Sequence, residues 1–582
     1  MQKYGELLRA LLEKRRITNT EEAEIFLNPD YQRDFHGPFS MKDMRKACQR
    51  ILEAVDKGER VVIYADYDCD GMPGAVIIED FFKKIGFENY EVYIPERNSE
   101  GYGLNHEAID RFAADGAKLI ITVDLGITAV EEIAYAKKKG IETIIVDHHL
   151  PPGSPSVSAS WSGLPDAYAI LNPKTDQYPE KMLCAAGVAF KLVQGLISVA
   201  SEREALLPKG SKASLSASKR KQDFPFPPGW EKWLLDMAGL ATLSDMVPLL
   251  GENRAMAYFG LKVLRKSRRP GLQKLLQKMR IDQGHLAPED VGYMLAPKLN
   301  AASRMDSPRR AYELLATDNL AEAGALAEHL ARINDERKII VTGIMREANK
   351  RLAEKKLAEG LGEVLVLGNP KWRVGVLGLV ASRISEEYER PAFVWGRDEN
   401  DCIRGSCRSD GSVSVVELMS ETQEYFTEFG GHELAGGFAA DAEKIHFLEE
   451  ALRGAFGKVK KEKPEAGPEY DLALPLSEVT MKNWKEIEKM EPFGLGNPKP
   501  VFLFEKVRTG SIKKFGKNGG EHLEITFSDG RETKVKAVSF FSGEDSFKVD
   551  IFPGAYVNLL ASFDLSRFLG REELRLRIID IL

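Results

Sequence analysis

At 582 residues the chain is too long for one hydrophobic core, and with 43% hydrophobic and 29% charged residues it reads as a soluble globular protein of about three or four domains. No apolar run is long enough to span a bilayer, and the N-terminal "MQKYGELLRALLEKRRITNTEEAEIFL" lacks a secretory signal's apolar block and cleavage site, so a cytoplasmic protein with no membrane partner is expected. A net charge of −7 excludes only a uniformly basic surface, and five scattered cysteines (Cys48, Cys69, Cys184, Cys402, Cys407) argue against a disulfide framework or a zinc site.

Between residues 60 and 150, the apolar runs "RVVIYAD", "EVYIP", "KLIITVD" and "TIIVD" alternate with amphipathic stretches. That alternation predicts βαβ units, with a parallel sheet covered on both faces. "AVIIEDFFKKIGF" and "AVEEIAYAKKKG" supply crossover helices, the second ending in lysines and a stopping glycine. Residues 201–230 are rich in Ser, Lys and Pro and read as a surface insertion. Residues 310–360 are strong helix formers, enough for one or two long helices that carry the chain between domains. "EVLVLGNPKWRVGVLGLVASRISEEYERPAFVW" is again strand, glycine-bearing loop, helix and strand, which predicts a second, smaller α/β domain. "YFTEFGGHELAGGFAA" sets His432 among glycines ahead of a helix or turn. From about residue 465, "HLEITFSD", "TKVKAVSFF", "YVNLLASFD" and "LRLRIIDIL" predict a small β-barrel, and "EKVRTGSIKKFGKNGG" gives it a basic loop suited to phosphates.

Three predicted strands end in aspartate: one in Asp66, with Asp68 and Asp70 following, one in Asp124, and one in Asp147, followed by His148 and His149. Parallel strands share direction, so these groups collect on the C-terminal sheet edge, where open α/β sheets bind ligands. A single aspartate after a strand is most often a helix cap or turn residue. Several together repel unless protonated or neutralised by cations, and Asp with His suits a divalent ion of the Mn²⁺ or Mg²⁺ kind, imidazole favouring manganese. Cys69 is expected to point away from Asp68 and Asp70 if this segment stays extended.

The motifs "ADYDCDGMPG", "TVDLGIT", "VDHHLPP" and "ATLSDMVPLLGENR" resemble those of the DHH phosphoesterases. With "APKLNAASRM", "WRVGVLGLVASRI", "GSCRS", "FGGHELAGG" and "EPFGLGNPKPVF", the resemblance narrows to that family's bacterial exonucleases specific for single-stranded DNA, over nearly the whole chain. It implies an α/β fold: a parallel-sheet DHH domain joined by long helices to a smaller α/β DHH-associated domain, plus a C-terminal OB-like β-barrel. The implied boundaries are 1–50 for an N-terminal helical segment, 51–310 for the DHH domain, 311–360 for the connecting helices, 361–460 for the DHH-associated domain and 465–582 for the barrel.

What the resemblance implies for chemistry is a site for two divalent cations, Mn²⁺ foremost and Mg²⁺ the alternative. Asp68 and Asp70 would bind one ion each, Asp124 would bridge, and His148 and Asp245 would complete the second site. Asp66 is a further metal candidate, although with Asp147 it is expected mainly to orient other ligands. His149 would face the scissile phosphate and act with Asp124 and Asp147. By itself "LSDMVPL" around Asp245 would pass as a turn. Arg304 and Arg97 are assigned to a terminal phosphate, which a planar guanidinium matches, and Asn300 to orienting the same group. Gly375 opens a glycine-to-helix segment able to cradle phosphate, His432 could meet the substrate backbone, and Tyr102 could stack on a base. An ion-paired arginine, a plain glycine turn, a buried histidine and a packed tyrosine are the ordinary alternatives. Tyr64 stands where many relatives have histidine, Ser303 where glycine is frequent and Arg373 where histidine is frequent, and the loops 153–168 and 201–230 look like local insertions.

The implied reaction is 5′ to 3′ hydrolysis of single-stranded DNA to 5′ mononucleotides, in DNA repair and recombination. Two metals bridged by a carboxylate lower the pKa of a shared water and stabilise both reacting oxygens. A single-strand-binding protein and a RecQ-type helicase are the implied partners, and a monomer is expected. Two other readings stay open. One is a DHH phosphodiesterase for short oligoribonucleotides, cyclic dinucleotides or pyrophosphate, whose branches usually lack the barrel and long helices. The other is a catalytically silent replication scaffold, against which the retained Asp68, Asp70, Asp124, His148 and Asp245 speak.

Overall fold

The computed structural model describes all residues except 98–99, 153–162, 206–225, 359, 462–468, 517–521, 531–532, 541–542, 544–545, 548 and 568–571. Most of the two expected insertions, at 153–168 and 201–230, therefore lies outside the described residues. The chain forms two compact units. One comprises Phe35–Val247 and Gly251–Lys463, the other Met1–Asp34, Pro248–Leu250 and Pro464–Leu582.

In the larger unit, β1 (Arg60–Ala65), β2 (Tyr90–Tyr93), β3 (Ala117–Val123), β4 (Glu142–Val146) and β5 (Ala169–Leu171) form a wholly parallel sheet in the order β2-β1-β3-β4-β5. Its central strands are mostly apolar because both faces are covered, with Arg60, Lys118 and Glu142 near their starts. Helices His106–Ala114 and Val130–Lys138 bury Ile109, Phe112 and Ile133 against Val62, Tyr64, Ile120 and Ile145. Helices Met44–Lys57, Gly71–Ile85 and Ala185–Ala205 pack on the alternate residues of the other face. A helical region follows, in which the π-helical turn Val291–Leu295 runs straight into helix Ala296–Met305. The 39-residue helix Leu320–Ala358 then carries the chain to a second sheet.

That sheet contains β6 (Leu365–Gly368), β7 (Ala392–Arg397), β8 (Ile403–Arg408), β9 (Phe426–His432) and β10 (Ala435–Ala440), in the order β6-β7-β8-β10-β9. Only the β6–β7 pair is parallel, and helix Leu377–Tyr388 makes its crossover. "FGGHELAGG" is a β-hairpin, and His432 ends β9 ahead of its turn, so of the helix or turn expected there it is the turn that forms. Glycine permits this, because a Cβ on Gly431 would lie 2.5 Å from the Gly436 Cα across the pair.

The smaller unit holds β11 (Leu472–Ala473), β12 (Phe502–Phe515), β13 (His522–Ser528), β14 (Lys534–Phe540), β15 (Tyr556–Ser566) and β16 (Glu573–Ile581). β12 pairs with both β13 and β15, which closes β12-β13-β14-β16-β15 into a five-stranded barrel. The N-terminal helices Glu6–Lys14 and Thr20–Leu27 belong to the same unit: Leu8, Leu11, Leu12 and Phe26 share one core with Trp484, Phe502, Phe504 and Phe563.

Candidate metal centre

The parallel strands end on one edge, where β1 hands the chain to Asp66, β3 to Asp124 and β4 to Asp147. Past Ala65 the chain does not stay extended but turns at once into helix Gly71–Ile85. Asp68 Oδ1 accepts from the backbone N–H groups of Asp70 (2.8 Å) and Gly71 (3.2 Å) and so closes that turn. A Cβ on Gly71 would lie 2.5 Å from the Asp66 carbonyl oxygen, which reserves the position for glycine. The condition for Cys69 to point away from Asp68 and Asp70 is therefore not met; its buried Sγ accepts from Ser244 Oγ at 3.3 Å and lies in the field of Asp68, Asp70 and Asp245.

Asp70 accepts from the N–H groups of Ala185 (2.6 Å) and Ala186 (2.8 Å) at the start of helix Ala185–Ala205. Asp124 sits at φ 65°, a left-handed conformation that non-glycine residues rarely hold outside functional sites. Asp147 accepts from the N–H groups of Ile127 (2.9 Å) and His148 (2.7 Å) and bonds His149 Nδ1 at 2.8 Å.

His148 Nε2 lies 3.3 Å from Asp124 Oδ1, 3.7 Å from Asp70 Oδ2 and 3.7 Å from Asp245 Oδ2, and His149 Nδ1 is 3.8 Å from Asp124 Oδ1. The donor atoms form three overlapping groups, each spanning no more than 4.8 Å: Asp124, His148 and His149; Asp70, His148 and Asp245; Asp66, Asp68 and Asp124. Asp66, expected mainly to orient other ligands, shares one of these groups with Asp68 and Asp124. Asp245 arrives as the C-cap of helix Leu235–Ser244.

Burial and crowding dominate the electrostatics. Asp66 and Asp124 are raised far above the usual carboxylate range by burial and by neighbouring carboxylates; the same causes raise Asp70 to about 7 and Asp245 to about 8. Burial, helped by His149, pushes His148 down to about 3, so its imidazole is a neutral lone-pair donor. Burial acts the same way on His149, but the Asp147 hydrogen bond outweighs it and raises His149 to about 9. Asp147 is buried too, and that bond holds it well below the usual range. Asp66 Oδ1 and Asp124 Oδ1 are buried without a hydrogen-bond partner. Crowded carboxylates with orphaned oxygens beside a neutral imidazole form a donor set that fits hard divalent cations.

Groups absent from the sequence reading complete the rim. Asn172 donates from Nδ2 to the His149 carbonyl at 2.9 Å, and Lys174 Nζ bonds the His148 carbonyl. Both follow β5, whose end lies on the same sheet edge. Tyr102 reaches the Asp124 carbonyl with its hydroxyl at 3.4 Å, stands edge-on to His149, and is 55% exposed. The His432 ring is stacked parallel to His149, with centroids 6.5 Å apart. Tyr64 is buried in the sheet core, its hydroxyl bonded to the Gly103 carbonyl at 2.9 Å, and belongs to none of the three donor groups.

Three guanidinium groups gather in the same unit. Arg304 is lowered to about 9 by burial and by the positive charges of Arg97, Arg337 and Arg408. Arg97 lies over the Tyr67 ring at 5.1 Å. Arg408 ends β8 inside "GSCRS", and a Cβ on Gly378, in the first turn of helix Leu377–Tyr388, would lie 3.1 Å from its Nη2. Among the described residues none of the three forms an ion pair with a carboxylate. Asn300, one turn before Arg304, keeps Oδ1 buried and unpartnered. Gly375 packs on Arg304, whose carbonyl would lie 2.3 Å from a Cβ there, so its glycine answers to that contact. Arg373 donates to the Met305 carbonyl at 2.6 Å, and Ser303 Oγ to that of Asn300 at 3.2 Å.

Comparison with known proteins gives three matches along the chain: the DHH family N-terminal domain over residues 60–217, the DHHA1 domain over 361–458 and the RecJ OB domain over 470–580. The chain is 33% identical over 578 residues to the single-stranded-DNA-specific exonuclease RecJ of Bacillus subtilis (strain 168), covering 99% of this chain and 67% of the relative. It is 33% identical over 470 residues to the protein of that name from Salmonella typhimurium, covering 78% and 76%. The crystal structure of RecJ in complex with Mn²⁺ from Thermus thermophilus matches with a TM-score of 0.77 at 25% identity, covering 100% of this chain and 76% of that one.

Proposed function

The chain belongs to the RecJ family of single-stranded-DNA-specific exonucleases, and on that premise we propose that it degrades single-stranded DNA from the 5′ end, releasing 5′ mononucleotides by metal-dependent hydrolysis. One observation carries the choice of end: Arg97, Arg304 and Arg408, unpaired with any carboxylate among the described residues, lie in the same unit as the carboxylate rim, and Arg97 acts on Asp66 of that rim. A terminal phosphate there neutralises the guanidinium groups, and the first internucleotide phosphate lies at the rim.

Two cations, Mn²⁺ in the first place, fit two of the donor groups, one of Asp66, Asp68 and Asp124, the other of Asp70, His148 and Asp245. When bound they supply Lewis acidity and a more acidic water, and their nearness lowers the carboxylates back into the ionised range. The remaining roles fall to the chain. His149, kept protonated by Asp147, offers positive charge to the scissile phosphate. The exposed Tyr102 takes the terminal base, and His432 closes over His149 from the second sheet. With the carboxylates and His148 turned to the ions and His149 held protonated, the attacking group in this reading is water. A cytoplasmic monomer acting in repair and recombination, with a single-strand-binding protein and a RecQ-type helicase as partners, is the setting we infer from the family alone.

The test is single-stranded DNA labelled at either end, incubated with Mn²⁺ beside duplex DNA and RNA. Stepwise release of 5′ mononucleotides from the 5′ end is expected, with Asp124→Ala lowering the rate roughly a thousandfold or more. Equal loss from both ends, or activity on dinucleotides alone, would overturn the reading.

A further inference from the structure

The row of cations does not stop at the three arginines given to a terminal phosphate. Starting beside the metal rim, Arg97 acts on Asp66 and on Arg304. Arg304 in turn feels Arg337, from the long helix Leu320–Ala358, and Arg337 feels Arg383, from helix Leu377–Tyr388. Arg304 is therefore linked to two further cations, Arg337 and, through it, Arg383. Among the described residues neither Arg337 nor Arg383 has a carboxylate ion pair or a hydrogen bond.

Polar groups at the same place also lack partners. Arg337 Nε and the Oδ1 atoms of Asn300 and Asn334 are buried without a hydrogen bond, and Asn334 is only 1% exposed. Their helices run antiparallel side by side: Asp306 meets His329 at 2.6 Å at one end, and Lys298 lies in the field of Arg337 and Lys338 towards the other. Asn300 and Asn334 fall at matching heights between these two points, one turn from Arg304 and Arg337 respectively. Buried polar atoms without partners are unfavourable, so their concentration at one helix interface marks a place for a polar ligand.

Charge narrows the ligand. A terminal monophosphate carries about two negative charges, which Arg97, Arg304 and Arg408 already exceed. Arg337, next to Arg304, and Arg383, next to Arg337, add positive charge that this phosphate does not use. We propose that the terminal-phosphate site continues into a second anion subsite, formed by Arg337, Asn334 and Arg383, that admits the β- and γ-phosphates of a 5′-triphosphorylated strand end. The inference deepens the exonuclease reading and rests on it. In the first turnover water attacks the phosphorus of the second nucleotide and its oxygen stays on the new 5′-monophosphate of the shortened strand. The O3′–P bond breaks, the departing O3′ gains a proton, and the first product is a nucleoside 5′-triphosphate.

Two oligodeoxynucleotides of one sequence, with a 5′-monophosphate or a 5′-triphosphate and a label in the first nucleotide, test this on the full chain with Mn²⁺. The triphosphate strand is expected to show a KM no higher than the monophosphate strand and to release a nucleoside triphosphate first. Arg337→Gln is expected to raise KM for the triphosphate strand about tenfold, and for the monophosphate strand by less than about twofold. Anisotropy binding of both strands in EDTA should show the same preference, and the exposed Arg383→Gln repeats the comparison if Arg337→Gln does not fold. Rejection of the triphosphate strand while the monophosphate strand is degraded, or an equal effect of Arg337→Gln on both ends, would overturn the subsite and leave the exonuclease reading standing. Degradation of neither strand would overturn that reading, and the subsite with it.

Discussion

Asp124 is held in a left-handed backbone conformation, with one carboxylate oxygen 3.3 Å from His148 Nε2 and without a donor, an arrangement that a proton or a cation must neutralise. Its neighbours give this a measurable form. Asp70, raised from 3.8 to about 7 by burial and by Asp68, and Asp245, raised to about 8 by burial and by Asp70 and Asp68, keep protons in the metal-free fold that the unfolded chain has already lost. A raised folded pKa contributes stability that is complete below pH 3.8 and is lost as pH rises towards about 8. The melting temperature of the EDTA-treated protein should therefore fall across that window. Saturating Mn²⁺ should raise it, and by more at about pH 8 than at about pH 5, because fewer protons must be displaced to bind the ion. An equal rise at both pH values would contradict the assignment. At this scale the strand-end aspartates were readable because each follows an unbroken apolar run. Asp245 caps a helix, and Asn172 and Lys174 act through backbone carbonyls, so pattern gives no hint of any of them.

Elements were legible where their hydrophobic period was strong and opaque where glycine decided the path. The four apolar runs between residues 60 and 150 became β1 to β4 in the order expected of βαβ units. β5 is only three residues long and carries no such signal. Whether "DYDCDG" stays extended after β1 was open in the sequence, and the close approach allowed by Gly71 folds it into a cap with Asp66, Asp68 and Asp124 in one group. "FGGHELAGG" lacks the branched residues of a strand, and the hairpin depends on paired glycines. Gly375 is a testable case of the same kind. A methyl group there must displace the Arg304 carbonyl or the turn Val374–Val376. Gly375→Ala should cost about 1–3 kcal/mol of stability and, because Arg304 moves with its backbone, raise KM for 5′-phosphorylated strands more than it lowers kcat. A purely global defect would instead lower the active fraction and leave KM unchanged.

For the whole molecule, a net charge of −7 is a poor guide to a chain whose basic groups are grouped. The smaller unit shows this on its barrel. Lys513, Lys514 and the partly exposed Phe515 occupy the end of β12, with His522 and Phe540 against Phe515, and Arg575 and Arg577 over the Phe540 ring at 5.8 and 5.4 Å. The sequence suggested a basic loop on a barrel, but residues 505–515 of that stretch belong to strand β12, with Gly516 just beyond it, and 517–520 fall outside the described residues. What composition could not reveal is that the first 34 residues share the barrel's core, since residues so distant along the chain leave no local pattern of their meeting. Cations interleaved with aromatic rings suit single strands, which they bind through phosphates and stacked bases. Lys513→Glu with Lys514→Glu should weaken binding of a long single strand and flatten the dependence of log K on log salt by about 0.7 for each phosphate no longer neutralised. Oligonucleotides of about four to six residues, shorter than most barrel sites, should be hydrolysed with unchanged kcat. A salt slope identical to that of the unmodified chain would remove this face of the barrel from the path of the strand.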